Sequence, residues 1–428
     1  MPGGTDNDEK RTQIDAETTD LRRLLISVNL PFPHHPRSIS TSAILLCSLF
    51  LLLFAACAAP LPTADGRQTP SPFWAENAGS NRHPTLADFW DGRARFVTDV
   101  ADTGLPMGES ETVALTDGRL WSYVHASDRS AGVVDQCGAP VEFPGCVVIY
   151  ESTDGGQRFR LTEPTCRFAC NSCPCTIEED QIDQQQYPRV VWDGSQAQMV
   201  YEHRGMVMMA ESPDGYAWTP TGQVAGTGIW HYWFQRCLPY AAIGPHPFSV
   251  DEHQCLVGGP PGVVVQGQSL YIFVGTGRSP GSLSCLVAPL GSQPIQFAPC
   301  AHNPLIVGAE TYGPLEDKGA TSNPWFDFRT VSSAEVQQVG NRFYLLYEGV
   351  RGPGPGDPGD TQFGLGLARS QTDQIDGPWE LFGGNPILVD MPGNIGLGHA
   401  DLLVIEGQTF LYTSLDGEKR SRLKLVWQ

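Results

Sequence analysis

The sequence predicts an all-β protein with the architecture of a five-bladed β-propeller. Five times along the chain a hydrophobic run stops at a glycine turn and resumes as an aromatic or β-branched run, which is the pattern of a β-hairpin. The turns are spaced 76, 73, 73 and 67 residues apart, a near-constant period that is typical of repeated blades. The turn glycines are Gly118, Gly194, Gly267, Gly340 and Gly407. The composition agrees, because 47 glycines, 35 prolines and only 17% charged residues suit a β protein with many turns.

A segment near the N-terminus has the features of an export signal. Residues 41–56 form an apolar run that is shorter than a comfortable membrane span and ends at Cys57. Phe54-Ala-Ala-Cys57 resembles the lipobox of bacterial lipoproteins, although leucine is usual in place of phenylalanine. The resemblance implies that Cys57 is lipidated and becomes the mature N-terminus, and the alternative is an uncleaved signal anchor. We therefore expect a signal and lipobox segment over 1–57, a flexible tether over 58–90, a propeller over 91–428, and a location in the cell envelope, lipid-anchored or secreted.

The charge and the cysteines fit an exported protein. A formal net charge of −20 repels phosphate backbones, so nucleic acid is not an expected partner. Ten cysteines remain beyond the signal and the lipid site, and an even number in an exported chain predicts disulfides. The local pairs expected are Cys137–Cys146, Cys237–Cys255 and Cys285–Cys300, with Cys166, Cys170, Cys173 and Cys175 pairing among themselves. A zinc site made by those last four cysteines is the alternative.

The blades can be followed in order along the sequence. A second hairpin follows each of the first four glycine turns, and the fifth unit ends after its third strand, so an N-terminal segment at Arg95–Val100 is predicted to supply the missing outer strand and close the ring. The segments that begin at Ser152 and Ser212 resemble the Asp-box turns of sialidases and related propellers. That resemblance implies that Asp154 and Asp214 are turn residues rather than catalytic acids.

Motifs in the last third of the chain resemble a known superfamily. Asn303-Pro-Leu-Ile and Asn385-Pro-Ile-Leu recur after the third and fourth blades, and the segment that starts with Gly398-His-Ala-Asp is similar to the opening of the fifth blade in arabinanases. These features resemble the five-bladed propeller glycosidases, which include the arabinanases and xylosidases of glycoside hydrolase family 43, the invertases and the levansucrases. The resemblance implies a carbohydrate substrate, and a role for His399 in holding a central metal ion, with calcium as the candidate.

Candidate sugar contacts lie on long loops. Connections from an outer strand to the next inner strand are predicted to be long and to share the funnel face, where a rigid scaffold presents binding residues. The loop over 219–259 is rich in aromatic side chains, whose flat faces suit sugar rings. Its candidates are Trp230, His231, Trp233 and Tyr240. The alternative is that these aromatics only pack the loop.

Candidate catalytic acids stand near the starts of the inner strands, as the resemblance implies. They are Glu109 and Glu111 in blade one, Glu335 in blade four, Asp401 in blade five, and Asp327 in the loop before blade four. Glu335 or Glu111 would be the general acid, and Asp401 or Glu109 the base. The second and third inner strands lack the expected aspartate. The hypotheses are therefore a glycosidase, a non-catalytic glycan-binding lipoprotein, and an envelope scaffold.

Overall fold

The computed structural model describes residues 82–428 except for 107, 143–144, 176–184, 193–195, 204–205, 226–227, 232–235, 240–260, 277–281, 292–294, 308–325, 328–329, 352–361, 390–399 and 416–418. Cys57, Trp233, Tyr240 and His399 lie outside these residues. None of the helices in the described part of the chain has the length and apolar character needed to cross a bilayer. The described residues confirm the predicted fold class, since they are mostly β-strands in five antiparallel blades and one separate hairpin.

The first two sheets each hold four strands in sequence order, which is the simple up-and-down pattern of a blade. Blade one consists of β2 (Ser110–Ala114), β3 (Leu120–Ala126), β4 (Cys146–Ser152) and β5 (Arg160–Leu161). A short helix, which we label α2 (Asp128–Ala131), follows β3. Blade two consists of β6 (Gln185–Trp192), β7 (Ala197–His203), β8 (Met206–Ser212) and β9 (Thr219–Ala225).

Blades three and four repeat this order, but the outermost position is divided between two short strands. Blade three consists of β12 (Gly262–Gln266), β13 (Ser269–Thr276), β14 (Ser282–Pro289), β15 (Ala298–Pro299) and β16 (Ile306–Val307). Blade four consists of β17 (Thr330–Val339), β18 (Arg342–Arg351), β19 (Gln362–Ser370), β20 (Trp379–Leu381) and β21 (Leu388–Val389). Between blades two and three, β10 (Gly228–His231) and β11 (Arg236–Pro239) form a separate hairpin.

The fifth blade combines both ends of the described chain, as predicted. Its strands are β22 (Asp401–Ile405), β23 (Gln408–Thr413), β24 (Ser421–Trp427) and β1 (Ala94–Val100). Strand β1 is antiparallel to β24, with Phe96 opposite Leu425. Each inner strand contacts the inner strand of the next blade, and β22 returns to contact β2. The five inner strands therefore form a closed ring, and the hydrophobic core fills the spaces between neighbouring blades.

An N-terminal helix packs against the ring before β1 begins. Helix α1 (Leu86–Trp90) is capped by Thr85, whose amide and hydroxyl donate to Asp88 at 2.9 Å. The Phe89 ring lies 5.5 Å from Phe96, and the Trp90 ring lies 5.2 Å from Phe382. Helix α1 lies within the segment 58–90.

The predicted turn chemistry is confirmed at the outer hairpins. Asp154 accepts the amides of Gln157 and Arg158 at 3.0 Å, and Asp214 accepts the amide of Tyr216 at 2.9 Å. Tyrosines from the neighbouring blades bind the same turns, since Tyr412 donates to Gly156 O at 3.1 Å and Tyr123 donates to Gly215 O at 2.9 Å. Asp154 and Asp214 are therefore turn residues.

The disulfides confirm the expected class of cross-link and correct part of its connectivity. Cys285–Cys300 forms as predicted, and Cys255, the predicted partner of Cys237, lies outside the described residues. The predicted Cys137–Cys146 pair is wrong, because Cys137 bonds Cys173 and Cys146 bonds Cys166. Cys170–Cys175 is the internal pair of the expected group of four. The reason is spatial: Cys146 starts β4 and meets the return of the chain at Cys166, whereas Cys137 lies in the loop before β4.

Candidate functional site

Polar residues from four inner strands converge at the centre of the ring. Arg189, Gly262 and Glu335 each precede the turn glycine of their blade by five residues, Asp401 precedes its glycine by six, and Glu111 by seven. Apart from Gly262, which has no side chain, these residues are buried. Glu335 is the most exposed of them at 7%, and Asp401 is completely covered. We call Glu111, Arg189, Glu335 and Asp401 the axial cluster.

Arg189 connects blade two to three other blades. All three guanidinium nitrogens make buried contacts. Nη1 donates to Ser110 O at 2.7 Å and lies 3.4 Å from Glu111 Oε2. Nη2 donates to Ser333 Oγ at 2.9 Å and to Ala400 O at 3.2 Å, and Nε lies 3.2 Å from Glu335 Oε1. A planar cation with several donors in fixed directions is suited to this task. The side chain therefore joins the inner strands of blades one, two, four and five.

Two matching bulges direct Arg189 and Glu335 toward this centre. The register of β6 against β7 shifts between Gln186 and Arg189, and that of β17 against β18 shifts between Ser332 and Glu335. In each strand the residue two positions before the axial side chain has a left-handed backbone, with φ of 54° at Tyr187 and 53° at Ser333. Because such conformations are costly for residues other than glycine, their recurrence marks a position where the surrounding structure holds the backbone in place.

Glu111 and Glu335 are buried acids that share the guanidinium of Arg189, which lies 3.4 Å from Glu111 Oε2 and 3.2 Å from Glu335 Oε1. Burial, followed by the neighbouring Glu335 carboxylate, raises the pKa of Glu111 well above its ordinary value. Burial also raises the pKa of Glu335, to about 7, although the Arg189 guanidinium acts in the opposite direction. Burial therefore favours the protonated form of both acids, and the pKa of Glu335 is about 7.

Asp401 holds blade five against blade one. Its carboxylate accepts the hydroxyls of Ser110 at 3.0 Å and Thr112 at 2.6 Å, and the amide of Thr112 at 3.1 Å. Burial raises the pKa of Asp401, while the charge of Arg420 and the bonds from Thr112 oppose the rise. A covered carboxylate with both oxygens bound acts here as a link across the closing seam of the ring.

A second group of charges lies beside the axial cluster. Glu109 is buried, with Oε2 at 3.4 Å from His125 Nδ1, and the His125 ring lies edge-on to Tyr187 at 5.6 Å. Arg420 is also buried and donates to Gly108 O, and to Tyr412 O at 2.9 Å. Burial lowers the pKa of Arg420 to about 10.

Asp327 belongs to a different contact within blade four. Tyr347 on β18 donates its hydroxyl to Asp327 Oδ2 at 3.2 Å, and Asn385 donates to the same tyrosine oxygen at 3.2 Å. Burial raises the pKa of Asp327 to about 6. Asp327 precedes the inner strand β17 along the chain, but its hydrogen bond is to Tyr347 on the second strand, β18.

The aromatic candidates are only partly located. Trp230 and His231 lie on β10, where Trp230 is opposite Cys237 and His231 is opposite Arg236. Trp233, Tyr240 and His399 lie outside the described residues.

The described axial residues fit a central calcium ion poorly, because the buried guanidiniums of Arg189 and Arg420 already balance the charge of the acids at the axis. The calcium ion and the role of His399 stay predictions.

Sequence reasoning missed the two buried arginines. Arg189 had a usable signal, since it occupies the same position before its turn glycine as Glu335, and the missing aspartate of blade two is replaced there by a cation. Arg420 had none, because it stands among Lys419, Ser421 and Arg422 and looks like part of a solvated charge run.

Several solved structures are similar to this chain over most of its length at low sequence identity. A thermostable family-43 glycoside hydrolase is 13% identical, with a TM-score of 0.46, and the match covers 77% of this chain and 95% of that one. The endo-arabinase from Bacteroides thetaiotaomicron is 9% identical, with a TM-score of 0.47 and coverage of 78% and 98%. The α-L-arabinanase of Cellvibrio cellulosa, complexed with arabinohexaose, is 14% identical, with a TM-score of 0.45 and coverage of 76% and 92%.

No protein-family model matches the sequence, and no curated protein matches it. At identities of 9–14% and TM-scores below 0.5, these similarities assign no role to any residue of the axial cluster.

Proposed function

We propose that the chain is an exported, glycosidase-like propeller that acts on carbohydrate with a proton held at its axis. The observation that supports the proposal most directly is the burial of Glu111 and Glu335 side by side around Arg189, which raises the pKa of both carboxyl groups. Glycoside hydrolysis needs a carboxyl group that stays protonated at the working pH and donates to the leaving oxygen. Glu335 is the more exposed of the two acids, so it is the proposed general acid, and burial is what raises its pKa.

The remaining roles are part of the same proposal. Trp230, His231, Trp233 and Tyr240 are the proposed sugar contacts. Asp401 or Glu109 is the proposed base, although both are completely buried and neither is placed to reach a water from the funnel without movement.

The test is the substitution Glu335→Gln in the full chain, assayed against arabinan, xylan and fructan oligosaccharides. The wild type should cleave at least one of them, and the variant should lose about 10²- to 10⁴-fold in kcat while its sugar affinity is retained, since only proton transfer is removed. Glu406→Gln is the matched control, because Glu406 is exposed at the blade-five hairpin turn. If Glu335→Gln and Glu406→Gln retain equal activity, Glu335 is not the acid.

A second candidate is a non-catalytic glycan-binding lipoprotein. One observation favours it: the buried Arg189 guanidinium lies 3.4 Å from Glu111 and 3.2 Å from Glu335, whereas glycosidases leave the space beside their acids open to the scissile bond. Calorimetric binding of an oligosaccharide that the wild type never cleaves supports this candidate. An absence of both binding and cleavage leaves the third hypothesis, an envelope scaffold.

The export proposal concerns Cys57. We propose that this cysteine carries a lipid that holds the protein at the outer side of a membrane, which agrees with four disulfides among the described residues. Cys57→Ala should release the protein from the membrane fraction or block its processing. A Cys57→Ala variant that fractionates with membranes as the wild type does would instead indicate an uncleaved anchor.

A further inference from the structure

Four cysteine sulfurs lie together beside blade one, apart from the axial cluster. Cys137 bonds Cys173, and Cys170 bonds Cys175. The sulfurs of Cys137 and Cys175 belong to different disulfides, yet they are only 3.4 Å apart. The Sγ atoms of Cys137, Cys170 and Cys175 all lie within 4.8 Å of one another. Since Cys173 Sγ is bonded to Cys137 Sγ, the fourth sulfur belongs to the same group. We call these residues the four-cysteine cluster.

These distances match a geometry that a soft metal ion prefers. Four thiolates at about 2.3 Å from a tetrahedral zinc ion lie roughly 3.8 Å from one another, which is within the range of separations in the cluster. The spacing Cys170-x2-Cys173 with a more distant fourth ligand is also common in structural zinc sites. The zinc site considered from the sequence contained Cys166. In the structure Cys166 is bonded to Cys146, and Cys137 is the fourth cysteine of the cluster.

Contacts other than the two disulfides of the cluster also hold the backbone around it. Asp135 accepts the amides of Cys137 at 2.8 Å and Ala139 at 2.9 Å, which fixes the first loop. The buried Cys146–Cys166 disulfide ties the second loop to β4. Opening the two outer disulfides therefore leaves both loops anchored.

Among the described disulfides, the two of the cluster are the ones that solvent reaches. Cys173 is exposed, and Cys137, Cys170 and Cys175 are half-buried. By contrast, Cys146 and Cys166 are completely buried, and so is Cys285. A dithiol in solution should therefore reduce Cys137–Cys173 and Cys170–Cys175 before the other pairs.

We propose that the four-cysteine cluster is a redox-controlled metal site that binds one zinc ion when its two disulfides are reduced. Two molecules of an external dithiol supply the electrons: each gives two electrons and two protons to one protein disulfide, forms its own internal disulfide, and leaves two cysteine thiols. Zinc then binds the sulfurs as thiolates, and the thiol protons pass to the solvent. Reoxidation by two molecules of an added small-molecule disulfide, each of which takes up two electrons from the cysteine thiolates and two protons from the solvent and becomes two thiols, releases the zinc ion and restores both protein disulfides.

The test uses the full chain, treated anaerobically with a limited amount of dithiol that is then removed. Alkylation and mass spectrometry should find new thiols at Cys137, Cys170, Cys173 and Cys175, and intact Cys146–Cys166 and Cys285–Cys300. The reduced protein should bind one equivalent of zinc at micromolar concentration, and zinc should protect the four thiols from alkylation. Cobalt(II) in its place should give the thiolate charge-transfer and intense visible bands of a tetrahedral sulfur site, and the oxidised protein should give neither.

A pair of double variants separates this site from general thiol binding. Cys137→Ser with Cys173→Ser removes one disulfide of the cluster and should reduce the zinc stoichiometry from one to zero. Cys285→Ser with Cys300→Ser removes a remote disulfide and should leave it at one. The proposal is overturned if the reduced wild type binds no metal, if the first double variant binds it equally, or if reduction unfolds the protein and zinc fails to restore its tryptophan fluorescence.

Discussion

Arg189 is the residue on which the centre of the ring depends. It is a buried cation whose contacts reach Glu111, Glu335 and the backbone oxygens of Ser110 and Ala400. Removing one partner from a buried ion network leaves uncompensated charge and unfilled hydrogen bonds, which typically costs about 3–5 kcal/mol. Arg189→Met should lower the free energy of unfolding by that amount in urea denaturation, whereas the exposed Arg160→Met should change it by less than about 0.5 kcal/mol.

A triple variant identifies the origin of that loss. Combining Arg189→Met with Glu111→Gln and Glu335→Gln removes the acids that the arginine balances, so part of the lost stability should return. If the triple variant is as unstable as the sum of its parts, the arginine stabilises the ring by packing rather than by charge.

Glu335 makes stability depend on pH in a defined direction. Its pKa in the folded protein is about 7, above the ordinary value of 4.5, so the folded state binds the proton more tightly than the unfolded chain does. Its contribution is fully present below pH 4.5 and is lost as the pH rises through 7, with a total on the order of 3 kcal/mol. Unfolding measured between pH 4.5 and 8 should therefore show a smaller decline in Glu335→Gln than in the wild type.

The exposed substitution Glu142→Gln is the control for this pH dependence, because Glu142 lies on the surface near the loop before β4. Its stability profile should follow that of the wild type. Equal slopes in Glu335→Gln and the wild type would mean that Glu335 is ionised in the folded protein throughout this range.

At the scale of the strands, the sequence predicts the blades better than the site. Turn glycines have a strong local signal, and Gly118, Gly267, Gly340 and Gly407 all have positive φ, between 59° and 87°. The Asp boxes and the closing strand β1 were also readable, because each is a short motif or a periodic run. These elements could be predicted because their information is local.

The axial cluster needed information that is not local. An alternating pattern shows which residues share a face of a strand, but a bulge moves the following side chains to the other face. The left-handed backbone at Tyr187 and Ser333 has no signal in the sequence, since neither residue favours it. Disulfide connectivity was unpredictable for a similar reason, because Cys137 meets Cys173 only after blade one has formed.

Gly262 reports on how closely blades three and four pack. It occupies the axial position of blade three, and a Cβ there would collide with the carbonyl oxygen of Ala334 on β17. Gly262→Ala should force the two inner strands apart and destabilise the protein by about 1–3 kcal/mol in thermal and urea unfolding. Gly383→Ala is the matched control, because a Cβ at Gly383 meets no atom within 4 Å and should be nearly neutral. An equal effect of the two substitutions would show that the inner strands have room to separate.

At the scale of the whole molecule, the ring is closed by strand pairing between distant parts of the chain. Thr103 and Arg420 share a backbone hydrogen bond of 3.0 Å, Ser421 donates to Ala101 O at 2.8 Å, and Arg422 forms an ion pair with Asp99. Without β1, the edge of β24 would be exposed, and exposed edges lead to association between chains. Asp401 closes the same seam at the axis, so the ring is held at both its inner and outer radius.

Three truncated chains can measure what this closure contributes. A chain that starts at residue 82 keeps α1 and β1, one that starts at residue 92 loses only α1, and one that starts at residue 102 loses both. The first should unfold cooperatively as a monomer, and the second should lose only the aromatic packing of the helix. The third should lose cooperative unfolding and self-associate through β24, as judged by calorimetry and light scattering. The chain that starts at residue 102 could instead remain a monomer and melt at the same temperature as the chain that starts at residue 92. In that case four complete blades and one three-stranded blade are enough to form a stable ring, and β1 is dispensable for closure.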